Sequence, residues 1–171
     1  MALIDVHQHV IPNVYKDALA RIGVQGSGEN SWPAWSVERQ LELMDELGIG
    51  ATLISIASPG AYFGDLGFTK RLVKACNEAM EQIVSDNPGK FGAMGFVSLP
   101  DVEAACRDVE YVLDVLKLDG INLQTHTGHH YLGHSEEDEL YAELDRRRAV
   151  VFVHPQRPAV QNMPQYAFPA G

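Results

Sequence analysis

The chain has 171 residues, 46% hydrophobic and 21% charged, with 13 Lys and Arg against 23 Asp and Glu for a formal net charge of -10. That length suffices for one well-buried domain, and the acidic balance argues against nucleic acid or an anionic membrane surface as the main partner. The balance leaves the substrate open, because a local cationic site can sit inside an acidic protein.

Residues 2–10 read as a strand that ends in His7 and His9. Residues two apart on a strand share a face, so the two imidazoles project together while Gln8 faces away. Two imidazoles converging at a strand end make half of a metal site. Asp5 lies deeper on the same face by this rule and could orient a ligand. A long connection follows over about 11–36, with a short helix over 14–22 and the Trp32-Pro33-Ala34-Trp35 segment. A connection of that length is commonly a binding loop or a lid. The tryptophans either line an aromatic-friendly pocket or anchor the loop on the rim of the fold.

Ser36 is a good N-cap for a helix over 37–47, stopped by Gly48. Residues 51–58 form a nearly continuous apolar run, the pattern of a strand covered on both faces. A helix is expected over 69–85, stopped at Asn87-Pro88-Gly89. The third strand is read over 91–99, with Gly92 and Gly95 permitting close approach. Asp101 caps a helix whose Val102, Ala105, Val109, Val112 and Leu116 trace one apolar stripe. The fourth strand covers 121–126 and ends in His126. His126, His129, His130 and His134 invite a second metal site, but Thr127 and Gly128 mark the stretch as loop. Ser135 opens a further helix with acids at its start and Arg146, Arg147 and Arg148 at its end, which complements the helix dipole. The fifth strand covers 149–154 and is closed by Pro155.

Five strands alternating with four helices define an α/β parallel sheet built of βαβ units. No glycine-rich dinucleotide fingerprint follows the first strand. Polar residues gather instead where strands end, at His7, His9, Ser58, His126 and His154, as in a (β/α)8 barrel of TIM type. Such a barrel takes about 250 residues, so the fold expected here is that barrel truncated after about five strands. It forms one partial domain over 1–171 with an irregular tail from about 156. Strands one and five would be open edges, covered by another chain or by the tail, and a homo-oligomer is expected. Cys76 and Cys106 lack Cys-x-x-Cys spacing and read as reduced thiols, which suits the cytoplasm. No signal-peptide pattern and no membrane-length apolar run is read.

The ordered segments Ile4-Asp5-Val6-His7-Gln8-His9, Leu43-Met44-Asp45-Glu46-Leu47-Gly48-Ile49, Asn87-Pro88-Gly89-Lys90-Phe91-Gly92, Leu118-Asp119-Gly120-Ile121-Asn122-Leu123 and Val151-Phe152-Val153-His154-Pro155 carry a family resemblance. Together they resemble the amidohydrolase-2 group of the metal-dependent amidohydrolase superfamily, which includes aminocarboxymuconate-semialdehyde decarboxylase and γ-resorcylate decarboxylase. The resemblance implies a distorted barrel with one divalent metal, zinc first and manganese second, held by His7, His9 and His154. It also implies a later acid–base histidine and a later aspartate ligand, neither of which can be placed in this sequence. The family's carboxylate-gripping arginine falls on Gln40, with Arg39 adjacent. His126, Trp35 and Arg39 are the candidate substrate contacts, for a small-molecule carboxylic acid.

Three imidazoles and an open position describe a catalytic centre. The resemblance makes non-oxidative decarboxylation of an aromatic or unsaturated acid the first expectation. Hydrolysis of an amide, ester or lactone is the second, and a metal-binding fragment without turnover the third.

Overall fold

The computed structural model describes residues 3–27 and 30–156. The expected tail beyond 156 lies outside the described residues. Five strands form one parallel sheet in the order β1-β4-β5-β6-β9. They are β1 (Leu3–His9), β4 (Ile49–Ser55), β5 (Phe91–Gly95), β6 (Gly120–Gln124) and β9 (Val151–His154). Two short hairpins lie outside the sheet, β2 (Gly26–Ser27) with β3 (Asn30–Ser31), and β7 (His126–Thr127) with β8 (His130–Tyr131).

The sheet is strongly curled. Strands about 4.8 Å apart would set the first and fifth strands of a flat sheet roughly 19 Å apart, yet His9 on β1 touches His154 on β9. This is a curled half-barrel sheet of the kind expected from the alternating pattern.

Helices α1 (Asn13–Ala20), α2 (Val37–Leu47), α3 (Leu66–Asp86), α4 (Val102–Glu110) and α5 (Asp138–Arg147) fill the crossovers. Ser36 caps α2 by accepting from the Arg39 N–H, and Gly48 closes it at φ 69°. Helix α3 begins before the expected 69, because Asp65 accepts from the Phe68 N–H and opens the helix at Leu66. Beyond Glu110 the expected helix continues as a π-helical turn over Tyr111–Val115, in which the Leu116 N–H donates to the Tyr111 carbonyl. Gly95 lets β5 approach that turn, since a Cβ there would meet Val112 at 2.5 Å.

The third strand is shorter than the expected 91–99, because side chains take over its backbone. Asn77 on α3 accepts from the Phe96 N–H and donates to the Phe96 carbonyl, and Asp108 accepts from the Ser98 N–H. The core lies between sheet and helices, with Leu19, Met44, Ile54, Val73, Met80 and Ile121 fully buried. The edges stay open among the described residues. Leu3, Ile4 and Val6 on β1, and Val151 and Val153 on β9, are exposed.

Candidate metal centre

The three expected ligands meet on the concave side of the half-barrel. His9 is the hub, with its Nε2 3.0 Å from His7 Nε2 and 3.0 Å from His154 Nε2. The rings stand edge to face, with centroids 4.6–5.6 Å apart.

Local structure explains why. Between Asp5 and Gln8 the β1–β4 register slips, so that three steps on β1 oppose two on β4. Strict alternation therefore does not run unbroken from Asp5 to His9. A bulge of this kind re-aims side chains, and here it leaves His7 and His9 together. Asp5 accepts from the His7 backbone N–H at 3.0 Å, so it fixes the bulge rather than an imidazole. On the far side, β9 carries His154 opposite Gln124 of β6.

The electrostatics suit a cation. Burial, then the neighbouring His154 and His7, lowers the His9 pKa from 6.5 to about 4. Burial and His7 lower that of His154 as well. Both rings are thus neutral at pH 7 and offer lone pairs. The His9 Nδ1 faces the Ser55 hydroxyl at 3.5 Å, the side on which a second partner orients a ligating imidazole.

A fit test follows from the distances. Three nitrogens about 2.0–2.1 Å from one tetrahedral ion lie roughly 3.3–3.4 Å apart. Two of the three separations here are within a few tenths of an ångström of that. All three donor atoms lie within 4.8 Å of one another, and the donor set fits a divalent metal.

The other expected residues lie elsewhere. His126 is buried, but it sits in the β7–β8 hairpin rather than at the end of β6. It lines a cavity at the carboxyl ends of β4, β5 and β6. Trp35 packs against the core as a loop anchor, and its buried Nε1 has no hydrogen-bond partner among the described residues. Arg39 faces solvent, paired with Glu42 at 2.9 Å and Glu46 at 3.5 Å. Gln40, one residue on, is buried instead. Adjacent helical residues do not share a face, so the two side chains diverge. Trp35 and Arg39 are not among the residues lining the cavity.

His130, His134 and Glu136 also gather within 4.8 Å. The two rings stack at 3.9 Å with planes 8° apart. Their in-plane lone pairs run in parallel planes, which one ion cannot share.

Asn122 and Gln124 went unnoticed in the sequence. They line the same cavity as His126. Their signal was the alternation Ile121-Asn122-Leu123-Gln124, which sets two amides on one face of a buried strand.

Fold and site together define a parallel β/α half-barrel with a cluster of three histidines at its concave mouth. The chain belongs to the amidohydrolase family, whose model matches residues 4–168. It is 35% identical over 164 residues to 6-methylsalicylic acid decarboxylase of Penicillium expansum, covering 92% of this chain and 50% of that protein. It is 36% identical over 161 residues to 6-methylsalicylic acid decarboxylase of Aspergillus aculeatus, covering 91% and 48%. A solved amidohydrolase II superposes with a TM-score of 0.87 at 30% identity, over 94% of this chain and 53% of that one. The 5-carboxyvanillate decarboxylase of Novosphingobium aromaticivorans, solved with bound manganese, superposes with a TM-score of 0.79 at 21% identity, over 90% and 51%. The chain spans about half the length of the curated relatives it matches. Among the described residues no helix is long and apolar enough to cross a membrane.

Proposed function

We propose that this chain carries the metal-binding part of a non-oxidative decarboxylase of aromatic or unsaturated carboxylic acids, with His7, His9 and His154 as ligands. The observation that carries the reading is the convergence of three Nε2 atoms from the first and last strands of the sheet. The decarboxylase relatives support a lyase over a hydrolase.

A divalent ion held there supplies Lewis-acid polarisation of a substrate oxygen. His7, His9 and His154 would hold that ion. Imidazole ligands favour zinc, while the manganese in 5-carboxyvanillate decarboxylase supports manganese as the alternative. His126 is the foremost substrate contact. Trp35 is a second, through its unpartnered Nε1, and Arg39 a third once released from Glu42 and Glu46. The setting is the cytoplasm, with Cys76 and Cys106 as free thiols, and the working form is a homo-oligomer.

The test combines metal analysis with turnover. The chain is expected to bind one equivalent of zinc or manganese and to release labelled CO2 from carboxyl-labelled 6-methylsalicylate. His154→Ala should weaken metal binding by more than the roughly 10–100-fold typical of losing an outer-shell partner. Unchanged metal affinity in that variant would remove the ligand assignment. Incorporation of water into an ester or lactone without CO2 release would favour the hydrolase. Stoichiometric metal with neither reaction would favour a metal-binding fragment.

A further inference from the structure

We propose that Asn122 is a positioning residue for the three-histidine cluster: its side-chain amide ties β6 to β4 across β5 and so sets the separation of His9 from His154. The inference rests on the ligand assignment above and deepens it, by naming the residue that holds ligands from opposite edges of the sheet together.

His9 and His154 sit on the two edge strands. Among the described residues β1 is held on one side, by β4, and β9 on one side, by β6. Strand pairing fixes each ligand against its own neighbour, since Ser55 is the register partner of His9 and Gln124 that of His154. It does not fix β4 against β6, which β5 separates. Twist varies from sheet to sheet, and four pairings lie between β1 and β9. The distance between the ligands is therefore set by contacts that skip a strand.

The Asn122 amide makes one. Its Nδ2 donates to the Ile56 carbonyl at 2.7 Å, and the residue is 1% exposed. Ile54 pairs with Ala93 on β5, and Gly95 on β5 pairs with Ile121 on β6. Two residues beyond Ile54, Ile56 is thus level with Gly95 and Ile121, beside Asn122. Strands two apart in a flat sheet lie roughly 9.5 Å from each other, beyond the reach of an asparagine. The bond requires the curl and in turn holds it.

Its two ends are well placed for the ligands. Ile56 follows Ser55, whose hydroxyl faces His9 Nδ1 at 3.5 Å and whose carbonyl accepts from the Val10 N–H at 2.9 Å. Asn122 stands two residues before Gln124, on the same face of β6. Other links between the end of β9 and the loop after β4 are longer. Gln156 Nε2 donates to the Pro59 carbonyl and the Ser58 hydroxyl to the Pro155 carbonyl, both at 3.5 Å. Ordinary hydrogen bonds measure about 2.7–3.2 Å, and a short one shielded from water is the stronger constraint.

The test compares Asn122→Leu with Asn77→Leu, each measured below its melting transition. Asn77 is an equally buried amide that binds backbone just beyond β5 without linking β4 to β6. In the metal-free wild type the His9 and His154 rings, with centroids 4.6 Å apart, should give a ring-to-ring NOE. Asn122→Leu should lose it and Asn77→Leu should keep it. Retention in Asn122→Leu, or loss in both variants, would overturn the proposal. Zinc is then titrated into the chain labelled with 15N-histidine. Wild type and Asn77→Leu should shift the His7, His9 and His154 ring signals together and with similar affinity. Asn122→Leu should bind zinc roughly 10–100-fold more weakly, the usual effect of losing a residue that orients ligands, with His154 shifted least. Equal zinc affinity in Asn122→Leu and wild type would also overturn the proposal. Should Asn122→Leu not fold, Asn122→Thr takes its place, since threonine suits a strand and is too short to reach Ile56. The NOE needs no metal, so the two readings fail separately. An NOE lost in Asn122→Leu, with no zinc bound by wild type, keeps the positioning role and removes the ligand assignment alone.

Discussion

His9 links the two sides of the three-histidine cluster. It lies between His7 and His154, so a proton on it would be buried beside two further imidazoles. That cost lowers its pKa to about 4. The sign of the pH dependence follows from linkage. Between pH 6.5 and about 4 the unfolded chain takes up a proton that the folded chain refuses. Stability of the metal-free chain is therefore unaffected by this group above 6.5 and falls as pH drops from 6.5 towards 4. Thermal melts of the metal-free protein should fall over that window, and His9→Leu should flatten the decline. An equally steep decline in the variant would assign it to other groups. Added metal competes with the same proton, so its stabilising effect should also shrink towards pH 4.

At the scale of elements, short polar contacts decide where strands stop and hairpins form. Asn77 on α3 binds both backbone groups of Phe96 from a fully buried position, acting in place of a neighbouring strand. Asn77→Leu should destabilise the chain by about 2 kcal/mol or more, since it leaves a buried N–H and a buried carbonyl unpaired. Denaturant unfolding at neutral pH measures this, and a loss under 0.5 kcal/mol would contradict the structural role. The β7–β8 hairpin that holds His126 is tied down in a similar way. Tyr141 on α5 accepts from the Gly133 N–H and donates to the buried Glu137. Glu137 thus belongs to a buried network, although its place in an acidic run suggested a role with the helix dipole. The basic end of α5 is spent on ion pairs, Arg146 with Glu143 and Arg147 with Glu143 and Asp114.

For the whole molecule the open edges matter most. Among the described residues, strands β1 and β9 present Leu3, Ile4, Val6, Val151 and Val153 to solvent, and unpaired apolar edges template further strand pairing. The isolated chain should therefore associate. Sedimentation across a micromolar concentration series should give a mass that rises with concentration. Ile4→Lys combined with Val153→Lys should shift it towards the monomer, because edge charges oppose strand pairing. A monodisperse monomer at all concentrations would contradict this and leave the homo-oligomer without support.

Much of the architecture was legible along the chain because it is written in local patterns. Ser36 and Gly48 bracket α2 as their chemistry requires, Asp101 caps α4, and apolar runs mark the parallel strands, although only β6 is buried along its whole length. The spacing of His7 and His9, with His154 at the end of the last strand, was legible for the same reason, since strand ends and side-chain alternation are local properties. The tertiary structure decided what depends on partners distant in sequence. It set the slip in β1, the end of β5 at Gly95, the turning of Arg39 away from Gln40, and the cavity around Asn122 and Gln124. Above all it brought residue 9 to residue 154. Sequence spacing carries no information on how far a sheet curls, and only that curl closes the gap between the first strand and the last.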